Sequence, residues 1–289
     1  MILHEDIRKK LVSLKDGGSF LFSGIEGIKK KEVAFDFASD ILKVKNLLNS
    51  PNFHYIEGEK LINIDKIREA IKFSSIKAFS GEQKILIINN AHNMNEEAQN
   101  ALLKLLEEPV KNDYIILITH KKYNLLSTIL SRLIEFSFKA LTKVELNYLF
   151  ERNITDYEYE LSGGSYLNLK KFDNISMEDM YNFSIDFLIG EDMGKISVYE
   201  SFLKDDFKKR IIYTNFVLKG IIKILSGELS HFKESEIVIK KIGADYLFAA
   251  NMIKILDYTL KNLDTNRNEK ILILNLIKER NKILRCLKS

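Results

Sequence analysis

The chain has 289 residues, 44 basic and 40 acidic, for a formal net charge of +4. With 46% hydrophobic and 29% charged residues it has the composition of a globular protein, and its length implies two or three domains. A charge so nearly balanced does not by itself indicate nucleic acid, and the single cysteine, Cys286, excludes an internal disulfide or a cysteine-cluster zinc site. The opening MILHEDIRKKL carries charges where a secretory signal needs an apolar run, and no stretch approaches the roughly 20 apolar residues of a membrane span. A cytoplasmic location without a membrane partner is expected.

Up to about residue 139, short apolar runs alternate with helical patterns. The predicted strands are Ser19–Ser23, Phe53–Ile56, Lys84–Asn90, Tyr114–Thr119 and Ile134–Phe138. ILII and YIILIT are apolar at successive positions, as strands covered on both faces of a parallel sheet are. Between them, Asp65 is a candidate cap for the helix IDKIREAIKFSSI. Asn95 is the candidate cap for NEEAQNALLKLLEE, which Pro109 ends. Ala98, Leu102, Leu105 and Leu106 share one face of that helix and should pack on the sheet. This alternation predicts a doubly wound α/β domain. After about residue 140 the pattern is helical, through LTKVELNYLFERN, a Leu161–Ser165 loop and long amphipathic segments. A break near Ile189–Asp192 gives domains at 1–139, 140–189 and 190–289.

Directly after the first strand comes Ser23-Gly24-Ile25-Glu26-Gly27-Ile28-Lys29-Lys30-Lys31, leading into a helix. A strand, a Gly-containing turn and a helix N-terminus form the setting of a phosphate-binding loop. On the pattern G-x-x-x-x-G-K-[ST], Gly24 and Lys30 match, and Gly27 lies within the turn. Lys29 replaces the second glycine and Lys31 replaces the magnesium-binding hydroxyl. A side chain at 29 hinders backbone approach to phosphates, and a second ammonium at 31 stands where the metal belongs. Two readings stay open: a basic, solvent-exposed turn without ligand, or weak anion binding by the remaining lysines.

The strand Ile85–Ile88 ends in Asn89-Asn90-Ala91-His92, where phosphoryl-hydrolysing sites need adjacent acids. An amide is a poor magnesium ligand and cannot act as a base near neutral pH. His92 is read as an exposed or capping histidine. Two independent motif failures point away from hydrolysis by this chain.

The segments IREAIKFSS, KILIINNAHNMNEEAQNALLKLLEEP and YIILITHKKYNLLSTILSRLIEFSF together resemble the AAA+ domain of clamp-loader subunits, those of bacterial DNA polymerase III and of eukaryotic replication factor C. The resemblance is strong over roughly the first 140 residues and extends weakly through Leu161–Ser165, which is similar to the family's lid segment. It implies a RecA-like α/β domain, a small helical lid and an all-α C-terminal collar. It also implies that Arg132, with Ser131, is an arginine finger acting in trans on a neighbouring motor subunit, and that Thr119 sits at a sensor position. Degraded nucleotide motifs beside an intact Ser-Arg pair resemble the family's non-hydrolysing class. Two departures from the family pattern are Leu133, in place of the usual cysteine, and the short Lys43–Asn52 segment, which lacks the four-cysteine zinc module; no zinc is expected.

The resemblance further implies a subunit of the polymerase holoenzyme, itself a nucleotidyltransferase, with no cofactor of its own. Its partners would be tau/gamma-type motor subunits and the delta subunit. It would meet the sliding clamp indirectly and primer-template DNA weakly through the complex, while the basic spots Lys29–Lys31 and Lys208–Arg210 read as solvated faces. A motor-type ATP-binding subunit and a regulatory pseudo-ATPase outside replication are the competing readings.

Overall fold

The computed structural model of the chain describes residues 3–14, 16–58, 60–76, 83–108, 112–172, 176–190, 206–263 and 268–288. Contacts divide the chain into two units, Met1–Ile154 with Ser162–Leu167, and Thr155–Leu161 with Asn168–Ser289. The expected boundary at Ile189–Asp192 runs into residues outside the described set, as does Pro109.

In the first unit the apolar runs become five strands: β1 (Gly18–Ser23), β2 (Phe53–Glu57), β3 (Ile85–Asn89), β4 (Tyr114–Thr119) and β5 (Ile134–Ser137). All pair in parallel, in the order β2-β3-β4-β1-β5. Every residue of β4 is buried, which explains why YIILIT shows no alternation. Edge strand β5 has three exposed positions of four. Helices α1 (Glu5–Val12), α2 (Lys30–Leu42), α3 (Ile64–Ser75), α4 (Glu96–Glu107), the single-turn α5 (Ser127–Leu130) and α6 (Lys143–Phe150) complete this part of the chain.

Local chemistry sets the helix ends. Asn95 caps α4 by accepting from the Ala98 amide at 2.9 Å, as its spacing predicts. The cap of α3 is Asn63, which accepts from Lys66 N at 3.3 Å, rather than Asp65. The helix starts at Ile64, so Asp65 lies inside the first turn, where its charge meets the helix dipole instead. Thr142 and Glu145 form a reciprocal capping box at α6. Ala98, Leu102, Leu105 and Leu106 bury one face of α4 in a core with Ile67 of α3, Leu86 and Ile88 of β3, and Ile115 and Leu117 of β4.

The second unit is helical: α7 (Asp156–Ser162), α8 (Tyr166–Lys170), α9 (Met177–Ile189), α10 (Phe207–Leu225), α11 (Lys233–Ile242), α12 (Tyr246–Leu263) and α13 (Glu269–Lys288), with the ends of α7 and α8 nearest Ser162–Leu167 counted in the first unit. One apolar core joins Phe187 of α9, Ile211 and Val217 of α10, Met252 of α12 and Leu276 of α13. The fully buried Arg280 ties α13 to the end of α9, donating to Phe187 O at 2.7 Å and to Gly190 O. Arg210 is also buried, 5.4 Å from the Phe183 ring, so Lys208–Arg210 is not wholly the solvated face expected of it. Among the described residues no helix is long and apolar enough to cross a membrane.

Leu102 is fully buried between α4 and the sheet. Leu102→Ala is therefore expected to destabilise the first unit by about 2–5 kcal/mol, read from the midpoint and slope of its urea unfolding transition.

Candidate functional site

Parallel register brings the C-terminal ends of the strands level: Ser23 pairs with Thr119 and Ser137, and Glu57 with Asn89. This edge, where β1 separates β4 from β5, is where ligands bind in open α/β sheets. The Gly24–Lys31 loop leaves β1 at this edge. Gly24 has φ 141°, and a Cβ there would meet Phe138 O at 2.5 Å. Gly27, at φ 77°, leaves no room for a Cβ beside Ser165 Oγ and Leu167 Cβ. Both glycines are thus required by backbone conformation and close approach.

The loop keeps a phosphate-loop path but is filled from within. Lys29, at the second glycine position, adopts the left-handed region at φ 68°, ψ 27°. Its ammonium pairs with Glu32 at 2.9 Å and lies 4.0 Å from the Tyr166 ring centroid. Lys30 Nζ donates to Gly24 O at 2.8 Å and Ile25 O at 2.5 Å, so the lysine closes on the loop's own carbonyls. Burial lowers its pKa to about 8, with Glu26 and Glu32 opposing the shift. The Ser162–Leu167 segment covers the loop, Ser165 Oγ donating to Glu26 O at 2.8 Å and Leu167 N to Gly27 O at 3.4 Å. The expected solvent-exposed basic turn is therefore corrected: Lys30 is buried, and Lys29 and Lys31 are engaged within the chain.

At the metal position, Lys31 Nζ pairs with Glu57 Oε2 at 3.0 Å and lies 4.8 Å from the Tyr55 ring centroid. Glu57 also accepts from Tyr55 OH, from Asn89 Nδ2 at 2.7 Å and from Asn90 Nδ2 at 3.5 Å. Burial raises the Glu57 carboxyl, but the hydrogen bonds from Tyr55, Lys31 and Asn89 prevail and hold it below the usual carboxylate range. Burial and the Glu57 carboxylate push the Tyr55 phenol up to about 12. An ammonium and two amides thus meet one carboxylate, where a magnesium site has carboxylates and a hydroxyl meeting a cation. Asn90 has φ 51°, a left-handed conformation that asparagine tolerates.

His92 is buried rather than exposed or capping, the second correction to the reading of this segment. Its Nδ1 shares a hydrogen bond with Thr119 Oγ1 at 3.1 Å, and its ring centroid lies 4.1 Å from that of His120. Burial, then the neighbouring His120, Lys121 and Lys30, bring its pKa down to about 4 against a small pull from Glu26, so the ring is neutral at physiological pH. Thr119 also accepts from Lys121 N at 3.0 Å, which gives the sensor position a structural contact in this chain.

Arg132 lies at a different edge of the unit, one residue past the turn that ends α5. Its Nη2 pairs with Glu107 at 2.7 Å, and its Nη1 donates to Thr128 O at 2.7 Å and to Ser131 Oγ at 3.3 Å. Ser131 Oγ in turn donates to Thr128 O at 3.1 Å. The segment leading there is held by the buried Gln99 of α4, whose Oε1 accepts from Leu126 N at 2.8 Å and whose Nε2 donates to Met94 O and Asn124 O. Glu57, Gln99 and Glu107 were not singled out by the sequence. Glu57 leaves one trace there, an acid at the end of the strand FHYIE, which acquires meaning once β2 lies beside β3.

The family model described as "DNA polymerase III, delta subunit" matches residues 3–142. The DNA polymerase III subunit delta' of Buchnera aphidicola is 35% identical over 117 residues, covering 39% of this chain and 36% of that one. The delta' subunit of Pseudomonas aeruginosa is 32% identical over 136 residues, covering 40% and 42%. The N-terminal region of this chain, residues 3–142, is similar to DNA polymerase III delta-prime subunits. It spans about two fifths of the length of these delta-prime relatives. The matched stretch holds both the filled loop and Arg132, so the similarity lies in the α/β domain. A DNA polymerase III gamma subunit-related protein from Thermotoga maritima has a similar fold, with TM-score 0.53 at 19% identity over 98% of this chain and 100% of that one.

The buried His92 generates a pH dependence. Between pH 6.5 and about 4 the unfolded chain takes up a proton here that the folded chain refuses, so stability falls as pH falls through that window. His120, lowered by burial as well, acts in the same direction. His92→Asn should flatten this acid limb, by at most about 1.4 kcal/mol per pH unit. Urea titrations across the window measure the slope, and an unchanged slope would show that His92 titrates normally.

Proposed function

We propose that this chain is a non-hydrolysing subunit of a replicative clamp loader that lends an arginine to a neighbour's active site. The observation that carries the proposal is the contrast between two edges of one domain. The nucleotide edge is occupied by the chain's own side chains, with Lys30 on the loop carbonyls and Lys31 on Glu57. The α5 edge holds Arg132 partly exposed on a braced segment. A planar, permanently charged guanidinium at such an edge suits the charge that develops on a transferring phosphoryl group.

On this reading the partners are tau/gamma-type motor subunits and the delta subunit of the DNA polymerase III holoenzyme in the cytoplasm. The sliding clamp is contacted indirectly and primer-template DNA weakly, through the assembly. Residues 140–189 serve as the small helical lid domain, and the helices of 190–289 serve as the collar that joins the other subunits. The domain does no hydrolysis of its own, since Asn89 and Asn90 supply no base and Lys31 no metal ligand.

The test is reconstitution with the motor subunits and measurement of DNA-stimulated ATP turnover. The isolated chain is expected to show no turnover. Arg132→Ala is expected to silence the motor site it faces, since such fingers contribute about 10³–10⁵ in rate. Turnover by the isolated chain that survives repurification and vanishes in Lys30→Ala would overturn the non-hydrolysing reading. An unchanged complex rate with Arg132→Ala would overturn the finger.

A further inference from the structure

The last turn of α4 contains an electrostatic misfit. Glu107 is the final residue of the helix and Glu108 follows as its C-cap, so two acids sit at the end where the helix dipole is already negative. Local helix chemistry favours a basic residue there, and Lys104 supplies one within the same turn, against two acids. The misfit is compensated from elsewhere in the chain: the Arg132 guanidinium reaches the Glu107 carboxylate at 2.7 Å. The side chains remain 33% and 49% exposed, and ion pairs with that much solvent contribute little to stability. Stability is therefore a poor reason for Glu107 to occupy this position.

Orientation is a better one. Among the described residues the pair is one of two polar side-chain attachments between α4 and the segment that carries Arg132. They stand beside the apolar packing of Leu125 and Ile129 in the α4 core. Gln99 grips the start of that segment through Asn124 O and Leu126 N. Glu107 grips its end, eight residues further along α4, about 12 Å away at the rise of an α-helix. The guanidinium is a rigid planar fork. With Nη1 held by Thr128 O and Ser131 Oγ and Nη2 held by Glu107, its plane is fixed at both terminal nitrogens, while Nε–H donates to no described residue. A side chain that would otherwise sample many rotamers is held in one, with Nε–H and the second Nη2–H left over for an oxyanion arriving from outside.

We propose that Glu107 is a positioning residue for Arg132, fixing the guanidinium at the end of α4 so that it meets a neighbour's phosphate already oriented. The proposal rests on the trans-finger reading above. It converts the ion pair from a competitor of the finger into part of its mounting: removing the carboxylate frees Arg132 from its own chain yet weakens its action on the neighbour.

The test uses the full reconstituted loader with Glu107→Gln, Glu107→Ala, Arg132→Ala and the Glu107→Ala/Arg132→Ala double variant. Glu107→Gln keeps the size and removes the charge at a half-exposed position, so it reports even if the alanine variant assembles poorly. Both Glu107 variants are expected to lower kcat for DNA-stimulated ATP turnover by about tenfold to a hundredfold, the scale of a small misplacement of a catalytic group, with KM for ATP nearly unchanged. In the Arg132→Ala background the Glu107 substitution should have no further effect. Wild-type or faster turnover in both Glu107 variants, with Arg132→Ala still impaired, would overturn the positioning role alone. So would an equal loss from Glu107→Ala with and without Arg132. If Arg132→Ala itself has no effect, the finger reading fails first, and the positioning role with it.

Discussion

One carboxylate governs the charge balance at the sheet's nucleotide edge. Glu57 closes β2 and gathers the Lys31 ammonium, the Tyr55 hydroxyl and the Asn89 amide. Without it Lys31 would stand next to the buried Lys30 with no counter-charge, in a loop whose backbone amides already favour anions. A metal site holds a mobile cation with fixed anions. Here the cation is covalently part of the chain, and it arrives with the helix that follows the loop. Occupancy of this edge does not depend on any solute concentration, and the lowered pKa of Lys30 reflects how far water has been displaced from it.

The same domain treats its other functional edge in the opposite manner. Helix α4 is fixed along its length by its apolar face in the sheet core, at its start by the Asn95 cap, and in between by the hydrogen bonds of Gln99. The four-residue α5 is too short to hold its own shape, since isolated helical turns are unstable in water. Its geometry is borrowed from α4. Rigidity is therefore placed behind Arg132 while the guanidinium itself stays in contact with solvent.

Much of the fold could be read from the residues. ILII and YIILIT lack alternation because both faces of their strands are covered, and the five expected strands appear within a residue or so of their expected ends. The filled loop was half legible. The lysines at 29 and 31 mark a departure from the phosphate-loop pattern, but they do not show that their charges are neutralised within the chain. That depends on β2 lying beside β3, a neighbour relation between residues 57 and 89 that local pattern does not encode. His92 was misread for a related reason: its burial comes from Thr119 and His120 on the adjacent β4 edge, far along the chain. The cap of α3 was missed by two residues because Asn63 and Asp65 are equally good caps in isolation, and the backbone turn chose between them.

The left-handed backbone of Lys29 follows a path suited to glycine. Yet no single step back is free of cost. Glycine at 29 relieves the backbone but releases Glu32 and the Tyr166 ring. Threonine at 31 strips Glu57 of its cation, and aspartate at 89 sets a second carboxylate against it. The replacements at 29, 31 and 89 thus support one another, so a change at any one of them disturbs contacts made by its neighbours.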